Sequence, residues 1–545
     1  MLEAAHPGRE DSGSTTESTA TPAQQIAAGY AVGGQAPELG TVVVNGVADP
    51  TAQIRIPLAT VNRHGLVAGA TGTGKTKSLQ VIAEQLSAAG VPVMMADVKG
   101  DLSGLSRPGV ANDKTAQRAK DTGDDWAPTA YPVEFLTLGT SGIGVPVRAT
   151  ISSFGPILLS KVLGLNATQE STLGLIFHWA DQQGLPLLDL KDLRWVITYL
   201  TSDEGKPELK ALGAVSPTTA GVILRALVNL EAEGADTFIG EPELKPQDLM
   251  RVDAQGRGII SLLELGSQVA RPVMFSTFLM WVLADLFTFL SEVGDVDKPK
   301  LVFFFDEAHL LFTDASKAFL EQVEQTVKLI RSKGVGVFFC TQLPTDVPNN
   351  VLSQLGARIQ HLLRAFTPDD QQALTKTVRT YPKTDVYDLE SALTSLGIGE
   401  AIVTVLSEKG APTPVAWTRM RAPRSLMDTI GPDAIAAAAK ASPLQAEYGQ
   451  TIDRDSAYER LAAKLAPPPP PAPEAAPMPQ QVEVPPMPAP AQTQGPAWCR
   501  RCWKARRSRA SSARRPGLRA ARSPAASSAP EPAAADANQP SPSLL

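Results

Sequence analysis

Eight consecutive residues, Gly69-Ala70-Thr71-Gly72-Thr73-Gly74-Lys75-Thr76, fit the pattern G-x-x-x-x-G-K-[ST] at every position. Glycines at these places let the backbone wrap an anion and aim its N–H groups inward. Lys75 is then placed to reach the β- and γ-phosphates of a nucleoside triphosphate, and the Thr76 hydroxyl to ligate Mg2+. The flanks agree with that chemistry. Gly65-Leu66-Val67-Ala68 reads as a buried strand. Lys77–Leu86 carries apolar residues at helical spacing, so the phosphate meets a helix N-terminus.

A second half-site lies far downstream. Leu301-Val302-Phe303-Phe304-Phe305 is an apolar run that ends in Asp306-Glu307. Such a run suits a central strand buried on both faces. Carboxylates at its end are costly unless a cation or a reaction needs them. Position divides the labour: Asp306 as metal ligand, Glu307 as the base that polarises the attacking water. Val335–Cys340 is another buried strand, ending at Thr341-Gln342, where Gln342 is placed to sense the γ-phosphate or the water. Ala318–Lys333 is amphipathic and ends in Arg331-Ser332-Lys333-Gly334. Arg331 either complements the helix dipole or serves a neighbouring subunit's nucleotide.

Positioning these groups requires an α/β domain with a largely parallel sheet. Candidate strands are Thr41–Val44, Leu66–Ala68, Val91–Ala96, Val133–Leu138, Gly258–Leu263, Leu301–Phe305, Val335–Cys340, Ile359–Leu363 and Ala401–Leu406. The expected organisation is a disordered polar leader over residues 1–38 and the ATPase domain over 39–423. Helical, Leu-rich residues 155–250 form either an insertion or a layer covering the sheet. A helical segment follows over 424–465. Residues 466–496 form a linker in which twelve of the twenty-four residues from Pro467 to Pro490 are proline, too many for a packed core. Residues 497–545 are a disordered basic tail.

The 545 residues carry 50 Lys+Arg and 56 Asp+Glu. Nine arginines and Lys504 fall within residues 500–522, so the first 495 residues hold 40 basic and 54 acidic groups, a net of −14. A body that acidic excludes the broad basic surface of a non-specific DNA binder and confines any nucleic-acid contact to a small lining. Three cysteines exclude a disulfide scaffold and point to a reducing, cytoplasmic setting. Cys499 and Cys502 form a CxxC with no second ligand pair, which argues against zinc. Met1–Ala28 has no apolar signal-type stretch. Val273–Leu290 is long enough to span a bilayer, but Asp285 within it would cost about 3 kcal/mol near the midplane. A buried helix is the reading adopted, with no integral membrane segment expected.

The loop GATGTGKT, the run LVFFFDEAHLLF, the helix end LIRSKGVGVFFCTQLP and the segment QLGARIQHLLRAFTPDDQQAL together resemble the HerA/FtsK superfamily of P-loop motor ATPases. They most resemble the bacterial helicase HerA-like C-terminal group, from about Val61 to about Tyr458. The resemblance implies a RecA-like core, ATP and Mg2+ as ligands, and a homo-oligomeric, hexameric ring with sites at subunit junctions. It assigns Lys75 and Thr76 to phosphate and metal, Asp306 and Glu307 to the acidic pair, Gln342 to the sensor and Arg331 to the trans-acting arginine. Asp97 falls in an acid-rich turn near the nucleotide, and Arg358 and Arg364 are further phosphate or subunit contacts. Residues 39–61 are too few for the N-terminal β-barrel of HerA proteins, and no membrane helices or winged-helix domain of the FtsK kind are visible.

The leading expectation is a Mg2+-dependent ATPase that translocates double-stranded DNA. A protein-export or conjugation motor with a protein partner shares the same core, and the acidic body favours weighing it. A nucleotide-gated scaffold is the reading from a different class; a complete acid at Glu307 argues against it. The Arg/Ser/Ala/Pro-rich tail after about residue 495 either binds nucleic acid electrostatically or is translated out of frame. In another frame the codons of WCRRCWKARRS allow an amphipathic helix.

Overall fold

The structure, a computed structural model, describes residues 20–465 except 98, 99, 141, 211, 212, 214, 266–271, 295 and 314. The linker and tail expectations, including the CxxC and the frame question, lie outside the described residues, as does the leader up to residue 19.

Twelve strands form one sheet: β1 (Glu38–Val44), β2 (Val47–Arg55), β3 (Gly65–Ala68), β4 (Val93–Asp97), β5 (Val133–Leu138), β6 (Val145–Val147), β7 (Ile260–Glu264), β8 (Leu301–Phe305), β9 (Val335–Thr341), β10 (Ala357–Gln360), β11 (Glu400–Thr404) and β12 (Ala416–Met420). Their order is β2-β1-β12-β11-β10-β3-β9-β8-β4-β7-β5-β6. From β10 to β6 every pairing is parallel; β11, β12, β1 and β2 extend the sheet antiparallel. This is a RecA-like P-loop NTPase core with an antiparallel flank.

Alternation along the central strands explains why they sit inside. Leu66, Phe303, Phe305, Val337 and Phe339 face one buried cluster, while Val67, Val302, Phe304, Phe338 and Cys340 face another. A strand apolar on both faces is stable only with helices on both sides. Two helices, α1 (Pro22–Ala28) and α2 (Lys75–Ala88), cover the second face through Ile26, Leu79, Ile82 and Leu86. The first face is covered by α3 (Ile151–Val162), α4 (Ala167–Gln182), α5 (Leu190–Thr201), α6 (Pro217–Ala232), α7 (Pro272–Phe289) and α8 (Lys317–Ile330). Leu173, Ile176, Leu193 and Leu227 of the helical region share one cluster with Leu66 and Met94 of the sheet. They are therefore part of one continuous apolar core with the sheet. The hydrophobic α7 lies inside, with Phe278, Leu279, Trp281 and Leu283 buried. Among the described residues no helix is long and apolar enough to cross a membrane.

The structure departs from the sequence reading in two ways. Within the leader read as disordered, Thr21 caps α1 by a reciprocal capping box with Gln24, and Ala23, Ile26 and Tyr30 are buried. Three strands were not anticipated: β2, β6 and β12. Asp49 and Pro50 break the β2 pattern, which an edge strand tolerates.

One glycine fixes the entry to the phosphate loop. A Cβ on Gly65 would stand 2.2 Å from Cε1 of the fully buried Phe338 on the neighbouring strand. Gly65→Ala should therefore destabilise the chain by about 1–3 kcal/mol. Chemical denaturation measures this, and unchanged stability would contradict the register of β3 against β9.

Candidate functional site

The phosphate loop leaves β3 at the carboxyl edge of the sheet and enters α2 at Lys75. Gly69, Gly72 and Gly74 have φ of 149°, 82° and 113°, values that L side chains rarely adopt. Thr71 and Gly72 form an exposed crest, while Thr73 and Lys75 are buried. Lys75 Nζ donates to the carbonyls of Gly69 (2.7 Å) and Ala70 (3.3 Å), so the ammonium lies inside the loop. Thr73 Oγ1 donates to Ala70 O at 2.7 Å and closes the turn. Thr76 lies in the first turn of α2.

Both flanks of the loop are tied down. Gly69 N donates to Thr341 O at the end of β9 (3.2 Å), and Ala70 N to Leu362 O (2.8 Å). Gly399 N donates to Thr73 O (3.0 Å), and an Arg364 guanidinium N–H to Thr71 O (3.4 Å). Beneath the loop lies His361, fully buried. A Cβ on Gly69 would meet its Cβ at 2.6 Å. Its ring bridges Ser78 Oγ (3.0 Å) and Glu400 O (2.9 Å). Burial pushes the imidazole down to about 4, which keeps it neutral under the loop. Sequence reasoning missed this residue; a lone histidine in an apolar strand carries no local signal.

The acidic pair is one strand away. Phe305 pairs with Phe339 on one side of β9, and Val67 pairs with Cys340 on the other. At about 4.8 Å per strand, the ends of β3 and β8 stand roughly 9–10 Å apart. Cys340 lies between them; burial, the nearby Asp306 carboxylate and a hydrogen bond to it push its thiol up, while Lys75 opposes the shift. Asp306 Oδ1 accepts from Glu307 N at 2.9 Å. Glu307 has φ of 49°, a left-handed conformation that costs a non-glycine residue on the order of 1–3 kcal/mol. Its carboxylate lies 3.5 Å from Nδ1 of His309. His309, Phe312, Thr313, Gln342, Leu343 and Asp346 line an open cavity of ≈ 460 Å3 beside it. Gln342 is exposed there, directly after the residue that accepts from Gly69.

Arg331 and Arg358, both named from the sequence, are not brought to this edge. Arg331 precedes β9, at the amino edge, and shares a cavity with Arg63, Lys328 and Arg358. The four residues of β3 alone, at about 3.3 Å each, put roughly 13 Å between the edges. Arg358, on β10 beside Leu66, lines the same cavity, whereas Arg364 reaches the phosphate loop.

Asp97 ends β4 and folds its own turn, accepting from the N–H groups of Gly100 (2.6 Å), Asp101 (3.2 Å) and Leu102 (2.8 Å). It pairs in register with Glu264 at the end of β7.

A family model for the helicase HerA-like C-terminal domain matches residues 43–525. The chain belongs to that family. No curated protein is similar to it in sequence. Among solved structures, the HerA-like chain is similar to the bacterial conjugative coupling protein TrwB, with 15% identity, TM-score 0.47, and 74% of this chain and 94% of that one covered. It is also similar to VirB4 of Thermoanaerobacter pseudethanolicus, with 14% identity, TM-score 0.46, and 71% and 97% covered. TrwB is known in complex with ADP and Mg2+.

Burial, with the charge of Asp97 added, pushes Glu264 up to about 8. Between the ordinary carboxyl range and about 8, folded Glu264 keeps a proton that the unfolded chain releases. Stability is therefore lost as pH rises through that window. Glu264→Gln should stabilise the HerA-like chain little at pH 5 and progressively more toward pH 8, by at most ~1.4 kcal/mol per pH unit. Melting curves at the two pH values check this; an equal effect at both would contradict it.

Proposed function

We propose that this HerA-like chain is a Mg2+-dependent ATPase of the cytoplasm that works as a homo-oligomeric, hexameric motor on double-stranded DNA. The observation that carries the reading is the meeting of the phosphate loop and the acidic pair at the carboxyl ends of β3 and β8, with only β9 between them. The donor set fits a metal–triphosphate. Positive-φ glycines open a backbone cradle, the Lys75 ammonium lies within it, and a hydroxyl and a carboxylate, Thr76 and Asp306, face the same edge. Bound there, Mg2+ would neutralise charge on the β- and γ-phosphate oxygens.

The protein's own groups do the rest. Backbone N–H groups of residues 69–76 bind the phosphates at the N-terminus of α2. Lys75 exchanges its carbonyl partners for phosphate oxygens. Glu307 takes the proton of the attacking water, and Gln342 orients that water or reads the γ-phosphate. Arg331, at the far edge of its own sheet, acts on the nucleotide of a second copy.

One observation favours a second reading of the cargo. With a net charge of −14 over its first 495 residues, the body has little to attract a polyanion, which suits a protein-export or conjugation-type motor with a protein partner.

Lys75→Ala should abolish ATP turnover. Glu307→Gln should lower it by ~100- to 10,000-fold while sparing ATP binding. Steady-state hydrolysis with and without double-stranded DNA, alongside particle mass with a non-hydrolysable nucleotide, tests both activity and cargo. Stimulation by DNA that fades at high salt supports the DNA motor; turnover indifferent to DNA favours the protein cargo. Unchanged turnover in either variant contradicts the assignment.

A further inference from the structure

The phosphate loop has a second flank. Asp306 and Gln342 lie on its β8 and β9 side, so the γ-phosphate end of a bound nucleotide points that way. The nucleoside end then leaves toward β10 and β11, which stand on the other side of β3. Two chain segments emerge there at the carboxyl edge: residues 362–366, after β10, and residues 397–399, before β11. Each is bonded to the loop. Arg364 donates to Thr71 O (3.4 Å), and Gly399 N to Thr73 O (3.0 Å).

Each segment also holds a large apolar side chain in water. Phe366 is 85% exposed and Ile398 77%, the two highest values for large apolar side chains among the described residues. A single exposed apolar residue is ordinary. Two of them, on separate segments and each within two residues of a bond to the same loop, belong to the site. Their backbones are held. The N–H groups of Phe366 and Thr367 donate to the Asp370 carboxylate (3.1 and 3.0 Å), at the start of the helix Pro368–Val378. The Ile398 carbonyl accepts from Arg118 Nη2 and the Gly399 carbonyl from Arg118 Nη1, both at 3.1 Å. Gly399 fits against the loop itself, since a Cβ on Gly74 would stand 3.1 Å from its nitrogen. Main-chain position is thus fixed while both side chains are left uncovered.

We propose that Phe366 and Ile398 form the nucleoside subsite, in which the base of the nucleotide stacks on the Phe366 ring and Ile398 adds apolar contact. The inference rests on the reading of residues 69–76 as a triphosphate cradle, and it assigns the part of the ligand that the cradle does not touch. Stacking is favourable because ring and base both leave water and their flat faces match. Neither side chain has a hydrogen-bonding group, so the contact selects a planar base without reading its edge. A neighbouring copy of the chain is the competing occupant of this surface. Its place beside the loop, on the side away from the acids, favours the nucleoside.

The test compares two ligands on the full-length chain by calorimetry in the presence of Mg2+: a non-hydrolysable ATP analogue, which has a base, and inorganic tripolyphosphate, which has none. Phe366→Ala should weaken the analogue ~5- to 100-fold and leave tripolyphosphate as in wild type. Phe366→Trp should retain analogue binding, and Ile398→Ala should show a smaller loss with the same selectivity. The Phe366 ring is mostly in water, so its removal leaves the packed core intact. Equal weakening of both ligands by Phe366→Ala would make the residue a support of the loop and overturn the proposal. So would no effect on either ligand, and so would a change of particle mass with analogue binding unaltered, which would assign Phe366 to contact between copies. A wild type that binds both ligands, the analogue no tighter than tripolyphosphate, overturns the nucleoside subsite alone. A wild type that binds neither removes the triphosphate cradle, and this inference with it.

Discussion

The hydrogen-bonded ladder of β9, against β3 on one side and β8 on the other, is the constraint from which the carboxyl-edge site follows. It delivers two segments more than 200 positions apart in sequence to the same edge, one strand apart. The ladder can exist only because β9 is apolar on both faces and is covered from both sides. Gly65, with no side chain, lets Phe338 fill the space at the start of β3. His361 does the corresponding work at the end, where it lies beneath Gly69 and ties the loop to β11 through Glu400. The loop is thus held by backbone bonds on both flanks and by a neutral ring below.

Parallel strands also sort the chemistry. Their carboxyl ends carry the phosphate loop, the acids and Gln342; their amino ends carry Arg63, Arg331 and Arg358. One subunit therefore presents an anion-binding loop and a cationic cavity on opposite edges.

Much of this is legible in the sequence where the signal is local. The phosphate loop is eight contiguous residues, and the acidic pair terminates an uninterrupted apolar run, so type and spacing suffice. Arg331 is singled out by its offset to Gln342 and Arg358 by the family resemblance, whereas Arg63 carries no signal. Arg63 and Arg358 lie near it only through the register of three strands, which no single stretch encodes. His361 is silent for the same reason. The place of residues 155–250 is equally non-local, since Leu-rich helices look alike whether they insert or cover. By contrast, α1 carries a readable signal in Thr21-Pro22-Ala23-Gln24, a capping box with proline at the first turn, which the polar surroundings obscure. Strand β2 defeats periodicity because Asp49 and Pro50 interrupt it at the sheet edge.

The central claim is that the phosphate loop and Asp306 hold one metal–nucleotide between them. Equilibrium binding of a non-hydrolysable ATP analogue, with and without Mg2+, tests it most directly when wild type is compared with Asp306→Asn. The account predicts that Mg2+ tightens binding to the wild type and that the gain disappears in Asp306→Asn. An identical Mg2+ dependence in both chains would contradict it.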